Sequence, residues 1–284
     1  LDNFFGCKMK IINSPAEMTA WSNRVSGSQT VALVPTMGCF HDGHLSLMRM
    51  AKQSADLVVV SLFVNPSQFG PNEDFDNYPR VLQNDQNAAE IEGVDVLFLP
   101  SSEGIYPLGY QTSISVKSLT LGLCGKDMPG HFEGVTTVVG KLFNIVKPDC
   151  AVFGEKDFQQ LRIIQKLTEI QHIPVEIIGC EIIREDHGLA MSSRNERLSK
   201  KIRQKAAFIY KTLQTAKNKF GMENALNVKD WVINEFQKND EFQLEYFDIT
   251  DVETLTPINN KINNVKYRAF IAVYVEDVRL IDNI

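Results

Sequence analysis

Two histidines, His41 and His44, stand among glycines in the stretch Pro35-Thr36-Met37-Gly38-Cys39-Phe40-His41-Asp42-Gly43-His44 of this 284-residue chain. Imidazole N–H groups and open backbone amides at a helix start are donors suited to the charge that develops in phosphoryl or nucleotidyl transfer. The apolar run 30–34 before the stretch reads as a buried strand, and Leu47, Met48, Met50 and Ala51 recur at helical spacing within 45–54. A strand therefore delivers both histidines to a helix start. Gly38 and Gly43 are expected to let the backbone turn tightly and approach a ligand. Cys39, inside the same loop, reads as a small apolar filler.

Three further stretches place polar groups after apolar runs. Phe63-Val64-Asn65-Pro66-Ser67-Gln68-Phe69-Gly70 offers Asn65 and Gln68, whose amides donate to a carboxylate or hydroxyl without bringing charge. Asp74, Asp76 and Asp85 follow as separated carboxylates, of the type that meets magnesium or is simply solvated. Val152 to Leu161 contains Gly154-Glu155-Lys156-Asp157, with Gln160 one turn later. Lys156 supplies a point positive charge for a phosphate, while Asp157 either accepts from ribose hydroxyls or caps the following helix. Ile183 to Asn195 ends in Ser192-Ser193-Arg194-Asn195, a hydroxyl and guanidinium group that reads both as a clamp for a triphosphate and as a linker.

The elements that must position these groups alternate. Strands are predicted over 30–34, 57–64, 94–99, 150–154 and 175–180, and helices over 45–54, 80–92, 134–146 and 158–171. Continuous apolar strands separated by helices imply an α/β domain with a Rossmann-like parallel sheet covered by helices on both faces. Ligands on such sheets bind at the carboxyl ends of the strands, where the informative stretches fall. Beyond them, helices over 199–220 and 225–238 and strands over 244–252, 265–275 and 278–281 predict a smaller C-terminal α+β domain. The expected division is an N-terminal extension or cloning remnant at 1–8, one domain at 9–182, and a second at 183–284 that begins with the hinge loop.

Composition narrows the function classes. A net charge of -6 gives no footprint for nucleic acid. Cys7, Cys39, Cys124, Cys150 and Cys180 are scattered without C-x-x-C spacing, as expected of free thiols in a reducing cytoplasm. No stretch is apolar for the roughly 18 residues a membrane span needs. There is no G-x-G-x-x-G after a strand, and Leu142 follows Lys141 where a P-loop has Ser or Thr.

P-T-M-G-x-x-H-x-G-H, F-V-N-P-x-Q-F, P-G-H-F-x-G-V at Pro129 to Val135, F-G-E-K-D-x-Q-Q and G-L-A-x-S-S-R-N occur in one order. Over 11–195 the chain resembles the pantothenate synthetase family of the nucleotidylyltransferase superfamily. The resemblance implies a ligase that joins D-pantoate to beta-alanine with ATP and magnesium, through a pantoyl adenylate, releasing pyrophosphate and AMP. It implies phosphate contacts and catalysis from His41, His44, Lys156, Ser192 and Arg194, and ribose contacts from Gly154 and Asp157. Further ATP contacts are implied for Pro35, Thr36, Met37, Gly38, Gly43, Ile183, Met191 and Ser193. Met37, Gln68 and Gln160 are implied to bind pantoate, with Asn65 near the reacting groups and Asp85 a metal ligand. A homodimer is also implied. Two departures stand out: Met128 where the family has Arg, and His187 where it has Asp. They bear on phosphate affinity and loop closure.

Overall fold

The computed structural model describes residues 8–70 and 75–284. Asp74, Cys7 and, apart from Lys8, the expected extension lie outside the described residues. In chain order the elements are β1 Lys10–Ile12, α1 Pro15–Val25, β2 Val31–Thr36, α2 Asp42–Ser54, β3 Leu57–Leu62, α3 Leu82–Ile91, β4 Val96–Phe98 and α4 Ser102–Ile105. There follow α5 Cys124–Asp127, α6 His131–Val146, β5 Cys150–Gly154, α7 Phe158–Ile170 and β6 Glu176–Cys180. The last elements are α8 Lys200–Lys205, α9 Ala207–Met222, α10 Ala225–Gln237, β7 Gln243–Asp251, β8 Tyr267–Val275 and β9 Val278–Asn283. Short 3-10 turns occur at Pro66–Gln68, Lys117–Leu119, Glu155–Asp157 and Ser193–Arg197.

The chain divides into two compact units. The first comprises Leu1–Val116, Met128–Gly154 and Ile163–Cys180; the second comprises Lys117–Asp127, Glu155–Arg162 and Glu181–Ile284. The second unit thus takes in the Glu155-Lys156-Asp157 turn as well as the C-terminal segment.

In the first unit six parallel strands lie in the order β1-β4-β3-β2-β5-β6. Val31, Ala32, Leu33 and Val34 are at most 3% exposed, so β2 is covered on both faces and reads as an unbroken apolar run. Leu47, Met48 and Ala51 of α2 pack with Val34, Val58, Val60 and Val152 on one of those faces. Chain order reverses between β2 and β5, which pair through Ala32 with Cys150 and Leu33 with Ala151. The carboxyl ends of these two strands, Thr36 and Gly154, are therefore at the topological switch point.

β1 and α1 were not among the predicted elements. Three residues are too few to show a period, and α1 shows itself chiefly through its start, where the Ser14 hydroxyl accepts from the Glu17 N–H and Pro15 follows the cap.

The second unit holds an antiparallel sheet, β7-β8-β9, whose Phe247, Ile271 and Val273 pack with Ile209 and Leu213 of α9 and Val228 and Val232 of α10. The single helix expected over 199–220 is two helices, α8 and α9, joined at Ala206. There the Ile209 N–H bonds back three residues to the Ala206 carbonyl, a 3-10 pattern that apolar periodicity does not reveal.

Candidate active site

In the first unit the histidine loop is built by its own backbone. His41 is the N-cap of α2: its Nδ1 accepts from the Gly43 N–H at 3.1 Å, while His44 Nδ1 accepts from the His41 N–H at 3.4 Å. A backbone N–H only donates, so each ring accepts at Nδ1 and its proton belongs to Nε2 in the neutral form. Two imidazoles with centroids 4.1 Å apart are thereby set as Nε2–H donors at a helix N-terminus.

The loop before them is tied from beneath. Gly38 and Cys39 both take left-handed backbone, with φ of 85° and 54°. This turns the N–H groups of Cys39 and Phe40 onto the two carboxylate oxygens of Asp85, at 2.8 and 2.7 Å. A Cβ on Gly38 would lie 2.9 Å from Asp85 Oδ2, so the glycine serves the approach of that carboxylate. Burial pushes the Asp85 carboxyl above the ordinary range while the two amides pull it back. With both oxygens engaged and 2% exposure, Asp85 is an anchor for the loop, and the expected metal role finds no support in this geometry. Among the described residues no group of three or more His, Cys, Asp or Glu is placed to hold a metal ion.

Replacing Asp85 with Ala should strand both amides, at about 1 to 3 kcal/mol for each unpaired group. Urea denaturation is the check: an unchanged midpoint would show that the loop does not depend on this carboxylate.

Thr36 turns its hydroxyl inward to the Ser61 carbonyl at 2.8 Å, leaving its main chain at the strand end. At Gly154 an added Cβ would meet only Leu47 Cδ2 at 3.9 Å, so packing within the first unit does not demand the glycine. Gln68 donates from Nε2 to Met37 Sδ at 3.2 Å, which brings together two residues expected to bind pantoate. Asn65 is different. It is 1% exposed, and its Nδ2 donates to Gln68 Oε1 and the Gly134 carbonyl, so it holds the turn behind Gln68 and does not reach outward as expected.

In the second unit the Glu155–Asp157 turn carries Lys156, whose ammonium is 3.8 Å from Asp157. The Asn283 side chain donates to the carbonyls of Glu155 and Lys156 at 3.0 and 2.8 Å, and Arg268 pairs with Glu155. The adjacent glutamines divide their tasks. Gln159 is buried and donates to the Leu119 and Gly122 carbonyls, whereas Gln160 is half-buried.

The loop over 183–195, expected as a hinge, is a closed turn. Arg184 and Ala190 bridge, Gly188 takes φ of 104°, and the Met191 N–H donates to the Ile183 carbonyl. Ser192 caps the 3-10 turn that carries Ser193 and Arg194, and Asn195 is tied to Glu185 and the Ala190 carbonyl. Arg184 makes a bidentate pair with Asp282 at 2.6 and 2.9 Å and stacks on Tyr210.

A family model described as pantoate-beta-alanine ligase matches residues 10–284. The chain belongs to the pantoate-beta-alanine ligase family. A relative from Christiangramia forsetii, a pantothenate synthetase, is 49% identical over 91% of this chain and 92% of its own length. The crystal structure of pantothenate synthetase from Thermus thermophilus is similar at 38% identity, with a TM-score of 0.90 over 97% of this chain and 99% of its own. That of pantoate-beta-alanine ligase from Francisella tularensis, complexed with beta-gamma ATP and beta-alanine, is similar at 36% identity, with a TM-score of 0.76 over 97% of each chain.

Membership of this ligase family extends through the C-terminal third, where sequence motifs end at Asn195. It also frames the two departures. His187 donates from Nε2 to the Arg203 carbonyl at 2.8 Å, so it fastens the turn to α8. Met128 contributes its carbonyl to the His131 N–H just before α6.

Several groups of this arrangement carry no local signal in the sequence. His131 and Gly134 lie in P-G-H-F-x-G-V, a motif that marked the family without suggesting a task. His131 Nδ1 donates to the Gln68 carbonyl at 2.8 Å, and a Cβ on Gly134 would overlap the Ser67 carbonyl and come within 2.7 Å of the Gln68 nitrogen. This glycine lets α6 touch the 65–68 turn. Asp282 and Asn283 gave no signal, because two adjacent polar residues after a short apolar run ordinarily read as solvated.

Proposed function

We propose that this chain condenses D-pantoate with beta-alanine at the expense of ATP. A pantoate carboxylate oxygen attacks the α-phosphorus and displaces pyrophosphate. The amine of beta-alanine then attacks the acyl carbon of the adenylate, releasing AMP and a proton. The observation that carries this reading is the family match over 10–284 together with the two imidazoles fixed as Nε2–H donors at a helix start. Adenylation asks of the protein positioning and neutralisation of charge, and needs no protein nucleophile.

In this reading His41, His44, Lys156, Ser192 and Arg194 serve the phosphates, and Gly154 and Asp157 the ribose. Pro35, Thr36, Gly38, Gly43, Ile183, Met191 and Ser193 shape the ATP contacts, several through main chain. Met37, Gln68 and Gln160 take pantoate, with Asn65 behind Gln68. Magnesium accompanies the triphosphate as part of the substrate. We assign nucleotide and pantoate binding to 9–182 and the phosphate loop to the start of 183–284. A homodimer in the cytoplasm completes the reading, on the support of the family resemblance; no helix among the described residues is long and apolar enough to cross a membrane.

The test is AMP release from ATP and magnesium with pantoate and beta-alanine, together and singly. AMP should appear in step with pantothenate only when both acids are present. ATP binding without either product would overturn the reading.

A further inference from the structure

The Asn65–Gln68 turn settles which end of the Gln68 amide meets a ligand. Side-chain amides have interchangeable-looking ends, so their orientation must be argued from partners that can play only one part. Asn65 has two such partners. The Ser67 N–H, 3.3 Å from Oδ1, can only donate, and the Gly134 carbonyl, 3.2 Å from Nδ2, can only accept. Tyr106 supports the same orientation with its hydroxyl on Oδ1 at 2.8 Å. Burial pushes that phenol above its ordinary range, which keeps the proton it donates.

With Asn65 fixed, its Nδ2 must face the oxygen of Gln68, at 3.1 Å. The nitrogen of Gln68 is then the other end, resting on Met37 Sδ, a weak acceptor that an oxygen would outcompete. The main chain of Gln68 is held separately by His131 at its carbonyl. We infer that Asn65 and Tyr106 are positioning residues that hold the Gln68 amide with its N–H outward, so that Gln68 reads an acceptor oxygen, carboxylate or hydroxyl, on the acid substrate. The inference rests on the reading of Gln68 as a pantoate residue. It explains why a buried asparagine and a tyrosine 41 residues further along serve one turn.

A double-mutant cycle on the steady-state KM for pantoate tests it. Gln68→Ala should raise that KM about 10- to 100-fold, as expected for loss of a hydrogen bond to a charged group. Gln68→Glu, which keeps the contact with Asn65 but offers no outward donor, should raise it at least as much. Tyr106→Phe keeps the ring packing and should raise it roughly three- to tenfold, with the KM for ATP and the Tm unchanged. In the Gln68→Ala background Tyr106→Phe should add nothing, because its effect passes through the missing amide.

Multiplying effects in the double variant, or an equal rise in the KM for ATP, would overturn the relay while leaving Gln68 in place. A Gln68→Ala enzyme with unchanged KM for pantoate would instead overturn the reading of Gln68 on which the relay depends. Asn65→Ala is the less decisive variant, since it also strips the turn of its internal bonds.

Discussion

Replacing Lys156 with Ala should slow the pantoate-dependent exchange of labelled pyrophosphate into ATP by about tenfold to a hundredfold or more, while the chain stays folded. The magnitude follows from charge-assisted contacts worth roughly 1.5 to 3 kcal/mol each, with about 1.4 kcal/mol to a factor of ten. The Lys156 charge helps hold down the carboxyl of the buried Asp282, and the Lys156 side chain, 20% exposed, pairs with the more exposed Asp157 at 3.8 Å. Such a long, partly solvated pair does little for stability, so the substitution removes a charge without breaking a core contact. What holds the turn in place is main chain: the Asn283 amide grips the carbonyls of Glu155 and Lys156, and these survive the change. His44→Ala should impair the same exchange. Thermal melts run beside the exchange assay separate chemistry from folding, and near-normal exchange in a folded Lys156→Ala enzyme would remove that lysine from the adenylation step.

Asp282→Ala should cost the protein about 3 to 5 kcal/mol, the usual penalty for leaving one member of a buried ion pair alone. Asp282 is 4% exposed and takes both guanidinium nitrogens of Arg184, which also donates to the Gly188 carbonyl. Without the carboxylate, that half-buried guanidinium is left against Tyr210 with its charge uncompensated. Replacing both partners with apolar residues, as in Arg184→Met with Asp282→Leu, should recover most of the loss, since the desolvation of two charges is then avoided. Exchange activity should not recover to the same extent, because Arg184 opens the turn that leads to Ser192 and Arg194. Denaturant titration of the single and double variants decides the matter, and a single variant as stable as the parent would show that the pair contributes nothing.

The parts of the candidate site that were legible in the sequence are those carried by local spacing. Strand β5 was predicted at its observed limits because five residues of unbroken apolar character end in glycine. Helix α2 starts at Asp42, three residues before the expected Leu45, because His41 caps it through a ring nitrogen where sequence rules look for Ser, Thr, Asp or Asn. Asp85 was legible only as a carboxylate. Its partners are 45 and 46 residues away, so nothing near it in the chain could show whether it faced a metal, water or two amides.

By itself, then, the sequence determined a parallel α/β unit and the four stretches that end its strands or follow them, since hydrophobic periodicity and glycine placement act over a few residues. Tertiary structure alone decided what holds those stretches in position. Asp85 fastens the histidine loop, Tyr106 and Gly134 fasten the Gln68 turn, and Asp282 and Asn283 of β9 fasten the Arg184 turn and the Lys156 turn. The separation reaches 128 residues between Asn283 and Glu155. A buried amide or carboxylate takes whichever partner the fold brings within about 3 Å, and that choice is made only once the chain has closed on itself.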